Sequence, residues 1–417
     1  MKNNHQKTFT FSLRIASLAW KNIWRNKVRS GVILGAIAIG VFSGTFSTTF
    51  IEGWIMDTVN NDIKTQYSHI QIHDTAFLAN YDINAHFIRE AVEGKMGVCT
   101  KTAYRLNLNG MLASPYNAIG VSAKGVIPEE EMQVTDVWRH IPDTMGVFLN
   151  DDTRMAIVIS SRTAEKLKVR LKSRIVFTFQ DVHGDMQSLA FRVSGIFKTT
   201  NAMFDEAYIF VRYADVFRYT GLPEGAFHEA AILLPDLETC NIVAPQLKNL
   251  FTDMDVRDWK ELNPALSMYF AYTDFMGILL MGIFLFALSF GIINTMLMAV
   301  LERTRELGML GAIGMSKRKI FNMIMLETVF LTLLGGVVGV ILGIAVVLPT
   351  MESGIDLSFF MEDQYEDYGF ASMVYPMLNV KMFVEIVVLV LLAGILSAIY
   401  PARKALKLKP LEAIRNV

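Results

Sequence analysis

The chain has 417 residues, 52% of them apolar and 19% charged, with a formal net charge of −1. Average globular usage is roughly 45–50% apolar and about 25% charged, so the chain is greasy without being apolar throughout. The apolar content, 28 Gly without a G-X-Y period and only two Cys exclude disordered, collagen-like and disulfide-scaffold classes, and the near-zero charge argues against a nucleic-acid partner.

Residues 1–29 carry Lys2, Lys7, Arg14, Lys21, Arg25, Lys27 and Arg29 and no acid. Over 11–27, Leu13, Trp20 and Trp24 alternate with basic residues, which predicts an amphipathic helix in the headgroup plane. Residues 30–51 hold no Asp, Glu, Lys or Arg. A bilayer-spanning helix needs about 20 mostly apolar residues, because the hydrocarbon is roughly 30 Å thick and each residue rises about 1.5 Å. The run therefore predicts a first span. It is longer than a signal-peptide core, and no small-residue cleavage site precedes Glu52 and Trp54, so it reads as a retained anchor.

Residues 52–274 are too many for a connection and predict a mixed α/β domain. Alternation of polar and apolar residues marks strands at 69–73 and 105–109. Further strands are expected over 155–160, 174–180, 189–197 and 207–212, with a hairpin through 181–185 and helices over 162–169 and 213–219. Residues 81–149 read as an inserted second lobe. His69 and His73 lie four apart, but on a strand rather than the helix that such a metal-binding pair requires, so no metal is expected. Cys99 and Cys240 lie outside, where a disulfide is permitted, but 141 residues apart and on different predicted lobes, which favours two free thiols over a bridge. No catalytic motif occurs.

The uncharged run 275–301 predicts a second span, and 320–350 a third. Between them, 302–319 begins charged, turns apolar at Leu307, Met309, Leu310 and Ile313, breaks at Gly314 and ends basic. Its spacing is not that of a phosphate loop, and no such loop occurs anywhere in the chain. An amphipathic helix between two spans suits insertion into a groove on a cytosolic partner, with an interfacial anchor as the alternative. Gly335, Gly339 and Gly343 share a helix face, the small-residue pattern that lets backbones approach, and Gly31/Gly35 and Gly40/Gly44 repeat it in the first span. Glu327 and Glu385, near span ends, read as structural. Six acids and no Lys or Arg mark the loop 351–380; a fourth span follows over 381–402, then a basic tail, 403–417. The positive-inside rule puts 1–29, 302–319 and 403–417 in the cytoplasm and the large domain and acidic loop outside.

Four stretches resemble the permease family of MacB, FtsX and the lipoprotein-releasing LolC/LolE proteins. They are Leu18 to Arg29, Glu302 to Met315, Glu327 with Gly335-Gly336 and Gly339, and Tyr400 to Ala405 with Lys409 to Arg415. The external Val193 to Phe197 and Phe204-Asp205-Glu206 also fit. The resemblance implies an α-helical membrane protein with four transmembrane helices and a large mixed α/β extracytoplasmic, MacB-like periplasmic domain between helices 1 and 2. It implies a cytosolic ABC ATPase dimer that holds the ATP and Mg, a second permease that is a copy or a paralogue, and mechanotransmission without a transmembrane pore. A periplasmic lipoprotein carrier or adaptor and a membrane lipid or lipoprotein substrate follow from the LolC/LolE branch, towards which length and His69 to Asp74 lean. MacB-type proteins usually carry a fused ATPase and FtsX-type proteins a smaller external domain. The ATPase-coupling residues so implied are Glu302, Arg303, Arg305, Glu306, Leu307, Met309, Leu310, Gly314 and Met315. Two departures stand out: Leu310-Gly311-Ala312 where an Arg commonly precedes the Ala, and Lys172-Ser173 in place of a Gly-Asp turn.

Overall fold

The computed structural model describes residues 16–96, 101–149, 153–357, 373–378 and 380–407. Cys99 and the signature stretch Lys409 to Arg415 lie outside them. The chain divides into two compact units, one made of 1–54, 272–355 and 375–417, the other of 55–271 and 356–374.

The first unit is helical. Residues 16–25 form α1; α2 is Lys27–Asp62 and α3 Pro264–Glu302, of which 55–62 and 264–271 count with the second unit, α4 is Thr304–Ala312, α5 Lys317–Ser353 and α6 Val380–Lys407. Among the described residues four helices are long and apolar enough to cross a membrane, within Lys27–Tyr67, Phe275–Glu302, Lys317–Ser353 and Phe383–Leu406. Their common core takes Ile33, Ile37 and Val41 from α2, Leu288, Ile292 and Met296 from α3, Met323, Ile324 and Leu331 from α5, and Ile386 and Val390 from α6. A Cβ on Gly335 would come within 2.7 Å of the Ile37 side chain, on Gly339 within 2.6 Å of the Ala38 carbonyl, and on Gly343 within 3.0 Å of Thr45. The three glycines thus let α5 lie directly on α2 of the same chain. Gly40 and Gly44 face Leu288 and Met281 of α3, whereas Gly31 and Gly35 meet nothing within 4 Å among the described residues, so the repeated spacing in α2 has two different surroundings.

The second unit is built on nine strands: β1 Ile70–Asp74, β2 Lys101–Ala113, β3 Ala118–Val126, β4 Ala156–Ser160, β5 Arg174–Gln180, β6 Met186–Phe197, β7 Tyr208–Arg212, β8 Glu229–Leu233 and β9 Met254–Asp258. Their order is β9-β1-β8-β2-β3-β7-β4-β6-β5, and β5 also pairs with β2. That last pairing closes six strands on themselves. Only β3 with β7 and β4 with β6 run parallel; the other pairs are antiparallel. The closed part encloses Leu106, Leu108, Ile157, Phe177, Phe179, Phe191 and Val193, all buried. Truncating such a phenylalanine to Ala costs about 3–5 kcal/mol. Gly110 is required where β2 meets β5, because a Cβ there would press within 2.8 Å of the Phe177 ring. The open end of the sheet carries a second core beneath the helix Leu237–Leu250, with Ile70, Ile72, Tyr104, Ile232 and Trp259.

Residues 81–149 are not a separate lobe. Their strands β2 and β3 sit in the middle of the sheet, and β2 belongs to both of its parts: Lys101 to Arg105 pairs with β8 and Gly110 to Ala113 with β5. A strand of thirteen residues long enough to serve two partners is what separation along the sequence concealed. The other local expectations fall close to the observed elements. The helix predicted over 162–169 is Ser161–Leu167, capped by Ser160, whose hydroxyl accepts the Thr163 N–H. The β5–β6 hairpin turns on the Asp181 carboxylate, which accepts the His183 and Asp185 N–H groups at 2.9 Å. His69 accepts the Leu234 N–H, and His73 lies between the His228 carbonyl and the Gln71 amide, so the two histidines are committed to different neighbours. Cys240 is buried, which pushes its thiol up to about 11.

Candidate functional site

The region between α3 and α5 is the part of the helical unit most unlike simple apolar packing. Helix α3 stops at Arg303, whose φ of −99° and ψ of 15° leave the helical region, and α4 begins one residue later. It ends where Gly314 takes a φ of +97°, a left-handed conformation open to glycine at no steric cost. The Met315 N–H then bonds the Leu310 carbonyl at 2.9 Å, reversing the chain into α5.

A nine-residue helix has room for two faces. One is committed inward: Leu307 is 6% exposed in the bundle core, against which Leu310 and Met315 are half-buried. The other faces outward. Met309 is 50% exposed, Ile313 84%, and Ala312 between them is exposed as well. Positions i, i+3 and i+4 lie side by side on a helix, so these residues make one apolar stripe, with exposed Arg305 a turn before it. Leu307 must therefore be set apart from Met309: it holds α4 onto the bundle, whereas Met309 is free to meet something else.

Charged side chains fix the position of α4. Arg25 of α1 places Nη2 at 2.5 and 2.6 Å from the two Glu306 oxygens. Arg303 Nε donates to Glu306 at 3.1 Å, and its Nη1 donates to both oxygens of Glu327 at 3.2 and 3.3 Å. Arg29 Nη2 reaches Glu327 at 3.3 Å, while its Nη1 stands 3.8 Å from Glu302. The chain Arg25–Glu306–Arg303–Glu327–Arg29–Glu302 thus joins α1, α2, α3, α4 and α5. The hydrogen bond from Arg25 is the chief reason why the Glu306 carboxyl lies below the usual carboxylate range. Glu327 is the buried end of the network, its side chain 3% exposed.

Glu302, Arg303, Arg305, Glu306, Leu307, Met309, Leu310, Gly314 and Met315, to which the resemblance gives a coupling role, all lie in this region. Sequence patterning misses Arg25, Arg29 and Glu327 as members of one network, and Ile313 as the most exposed apolar side chain of the stripe. A signal for Glu327 is there: a carboxylate within an apolar helix requires cationic partners, and Arg25, Arg29 and Arg303 are all at hand. Elsewhere in the unit, a cleft of about 310 Å³ opens between α2 and α3, lined by Ile33, Ile37, Gly40, Phe284, Leu288 and Thr295 among others.

Four helices long and apolar enough to cross a membrane, with an α/β domain in the chain between the first two and a short helix held by charges between the second and third, indicate a multi-pass membrane protein. Residues 278–410 match the FtsX-like permease C-terminal family, and the chain's homologues are ABC transporter permeases. An uncharacterized ABC transporter permease of Methanocaldococcus jannaschii is 27% identical over 65% of this chain and 65% of its own. The macrolide export ATP-binding/permease protein MacB of Chlorobaculum tepidum is 38% identical over 30% of this chain and 16% of its own. The uncharacterized ABC transporter permease YknZ of Bacillus subtilis is 31% identical over 32% of this chain and 29% of its own. The matches thus span less than two thirds of the length of each of these relatives.

Proposed function

We propose that this chain is the membrane subunit of an ABC transporter that works by mechanotransmission, and that it draws lipoproteins from the inner membrane for delivery to the outer one. The exposed stripe Met309, Ala312 and Ile313 on α4 carries the reading: it is an apolar helix face that a groove on a cytosolic ATPase can take. Nucleotide-driven movement of that ATPase would displace α4. The ionic chain would pass the displacement to α1 and, through buried Glu327, to α5, on which α2 lies by way of the glycine face. Helices α2 and α3 lead into the α/β domain along the chain, so they are the levers of this scheme. No phosphate loop occurs in the sequence, so ATP and Mg belong to the partner in this reading.

The basic flanks favour cytoplasmic termini and an outward α/β domain. The apolar cleft between α2 and α3 favours a substrate with hydrocarbon chains. Depleting the protein and fractionating the membranes tests the substrate: acylated lipoproteins should accumulate in the inner membrane, and an unchanged distribution would falsify the lipoprotein reading. A second reading, export of peptides or amphipathic compounds, has its support in the similarity to the MacB proteins. It predicts altered sensitivity to such compounds with lipoproteins unmoved. A non-transporting regulator of cell-wall hydrolases would instead give a division defect with no exported substrate.

A further inference from the structure

The α/β domain holds a polar centre for which the transport scheme has no use. Side chains alternate along β2, so Arg105 and Asn107 leave the sheet on the face opposite Leu106 and Leu108. The register carries the pattern across neighbouring strands. Glu229 lies opposite both His73 and Arg105, Asn107 opposite Lys124, and Ser122 opposite Tyr208. The result is one polar row over five strands, in a sheet whose other face is apolar core. It floors a cleft of about 160 Å³ whose walls include Tyr67, Phe77, Tyr81 and Leu262.

The charges of this floor balance. Arg105 is fully buried; its Nε and Nη2 donate to the Glu131 carboxylate at 2.9 Å each, and its Nη1 donates to Glu229. Lys124 is 4% exposed and is the second cation. At the rim Arg257 pairs with Asp255 at 2.8 Å. Two buried cations therefore meet two buried carboxylates. An anionic ligand would add an uncompensated charge beside Glu229, which burial penalises.

The hydrogen-bonding capacity, by contrast, does not balance. Lys124 Nζ has three protons and donates one hydrogen bond, to the Gln66 carbonyl at 3.2 Å, while otherwise lying 4.9 Å from the centre of the Tyr208 ring. Burial, then Arg105, pulls this ammonium down to about 8. Asn107 Nδ2 donates to Glu229 at 2.8 Å, but Asn107 Oδ1 is buried without a partner among the described residues. Unspent donors and an unmet acceptor on adjacent strands, facing each other in the register, suit a group that accepts and donates at once, and that group is a hydroxyl. The volume is close to the roughly 150 Å³ of an engineered cavity that takes one benzene ring. At the mouth Tyr81 is 57% exposed and takes a left-handed φ of 50° as the C-cap of the helix Phe77–Asn80, its N–H bonding the Phe77 carbonyl at 2.7 Å.

We infer that this cleft binds a neutral polyhydroxylated ring of monosaccharide size, one hydroxyl accepting from Lys124 Nζ and donating to Asn107 Oδ1, with Tyr81 covering the ring. The experiment uses the full chain in lipid nanodiscs, because detergents with sugar headgroups would compete. Saturation-transfer NMR is run with glucose, galactose and N-acetylglucosamine, and with acetate and inorganic phosphate for comparison. At least one sugar is expected to bind saturably, with affinity about tenfold weaker in both Lys124→Met and the surface variant Tyr81→Ala. Tyr81→Ala removes a side chain that is more than half exposed, so it decides the matter if Lys124→Met does not fold. No saturable sugar signal up to about 10 mM would overturn the inference, as would a signal that Tyr81→Ala leaves unchanged. Binding of acetate or phosphate in place of the sugars would overturn it as well, and would make the cleft an anion site.

Discussion

Each unit of the molecule contains an arginine–glutamate network, and the two are built in opposite ways. In the α/β domain Arg105 and Glu131 are wholly buried and Glu229 nearly so, and both carboxylates turn inward on the same guanidinium. Burial works against the charge, yet the Glu131 and Glu229 carboxylates raise the Arg105 pKa above its ordinary value. Burial also opposes the Glu229 carboxylate, but Arg105 and Lys124 hold it down at about 2. In the helical unit the chain of charges is graded. Glu327 is 3% exposed, Arg303 14%, Glu306 41% and Arg25 55%. A closed network spends its charges on one another and serves to fix which strands and helix come together. A network that runs from core to solvent can be pulled from its exposed end, and that end is the flank of α4.

The contrast is broken most directly by removing one member from each. Glu131→Gln should leave Arg105 buried with half its partners, at a cost of about 3–5 kcal/mol in denaturant unfolding of the purified chain. A loss below about 1 kcal/mol would mean that the closed network is dispensable. Glu327→Gln should cost less, about 2–3 kcal/mol, because Arg29 and Arg303 reach some water and can relax towards it. In that variant ATP hydrolysis should continue while its stimulation by substrate falls; full stimulation would show that the buried end carries no signal.

Asp205 sharpens the comparison as a buried acid that, among the described residues, forms no ion pair, with Arg162 and His140 acting on it only weakly. Burial pushes its carboxyl up to about 6, although it accepts hydrogen bonds from the Thr199 backbone and hydroxyl. The folded state thus holds the proton more tightly than the unfolded chain does. The domain should be most stable below about pH 4 as far as this group is concerned, and should lose about 2–3 kcal/mol between pH 4 and pH 6. Asp205→Asn should flatten that part of the stability profile; an unchanged profile would assign it to other groups. Arg25→Ala, at the solvent end of the graded network, should cost no more than about 1 kcal/mol and less in high salt. Smallest of all, Lys172 has a left-handed φ of 68° in the turn before β5, and Lys172→Gly should stabilise the chain by about 0.5–1 kcal/mol in thermal melting.

The helical unit was the more legible in the sequence, because a bilayer demands long uncharged runs that leave a gap in the charge pattern whatever the tertiary contacts. Helix ends were less legible: α2 continues to Asp62 and α3 starts at Pro264, since a helix does not have to stop where its apolar run does. In the domain, alternation located most strands, as at β5, but gave no warning that β2 would join two parts of one sheet. Pairing between distant strands is written in side-chain fit rather than in local period. For the site, polarity alone could not separate Leu307 from Met309, two residues apart on a helix and therefore on different faces. It also set Glu327 aside as structural, since its partners Arg29 and Arg303 lie 298 and 24 positions away.

The central claim is that the outward stripe of α4 is where an ATPase takes hold. The direct measurement is recovery of the ATPase when the full chain is purified from its own cells, with wild type beside a Met309→Asp/Ile313→Asp double variant. Both side chains are exposed, so the variant should insert and melt as wild type does, while the ATPase and its hydrolysis are lost from the purified complex. Retention of the ATPase by the double variant would contradict the account, and would move the contact to another face of the protein.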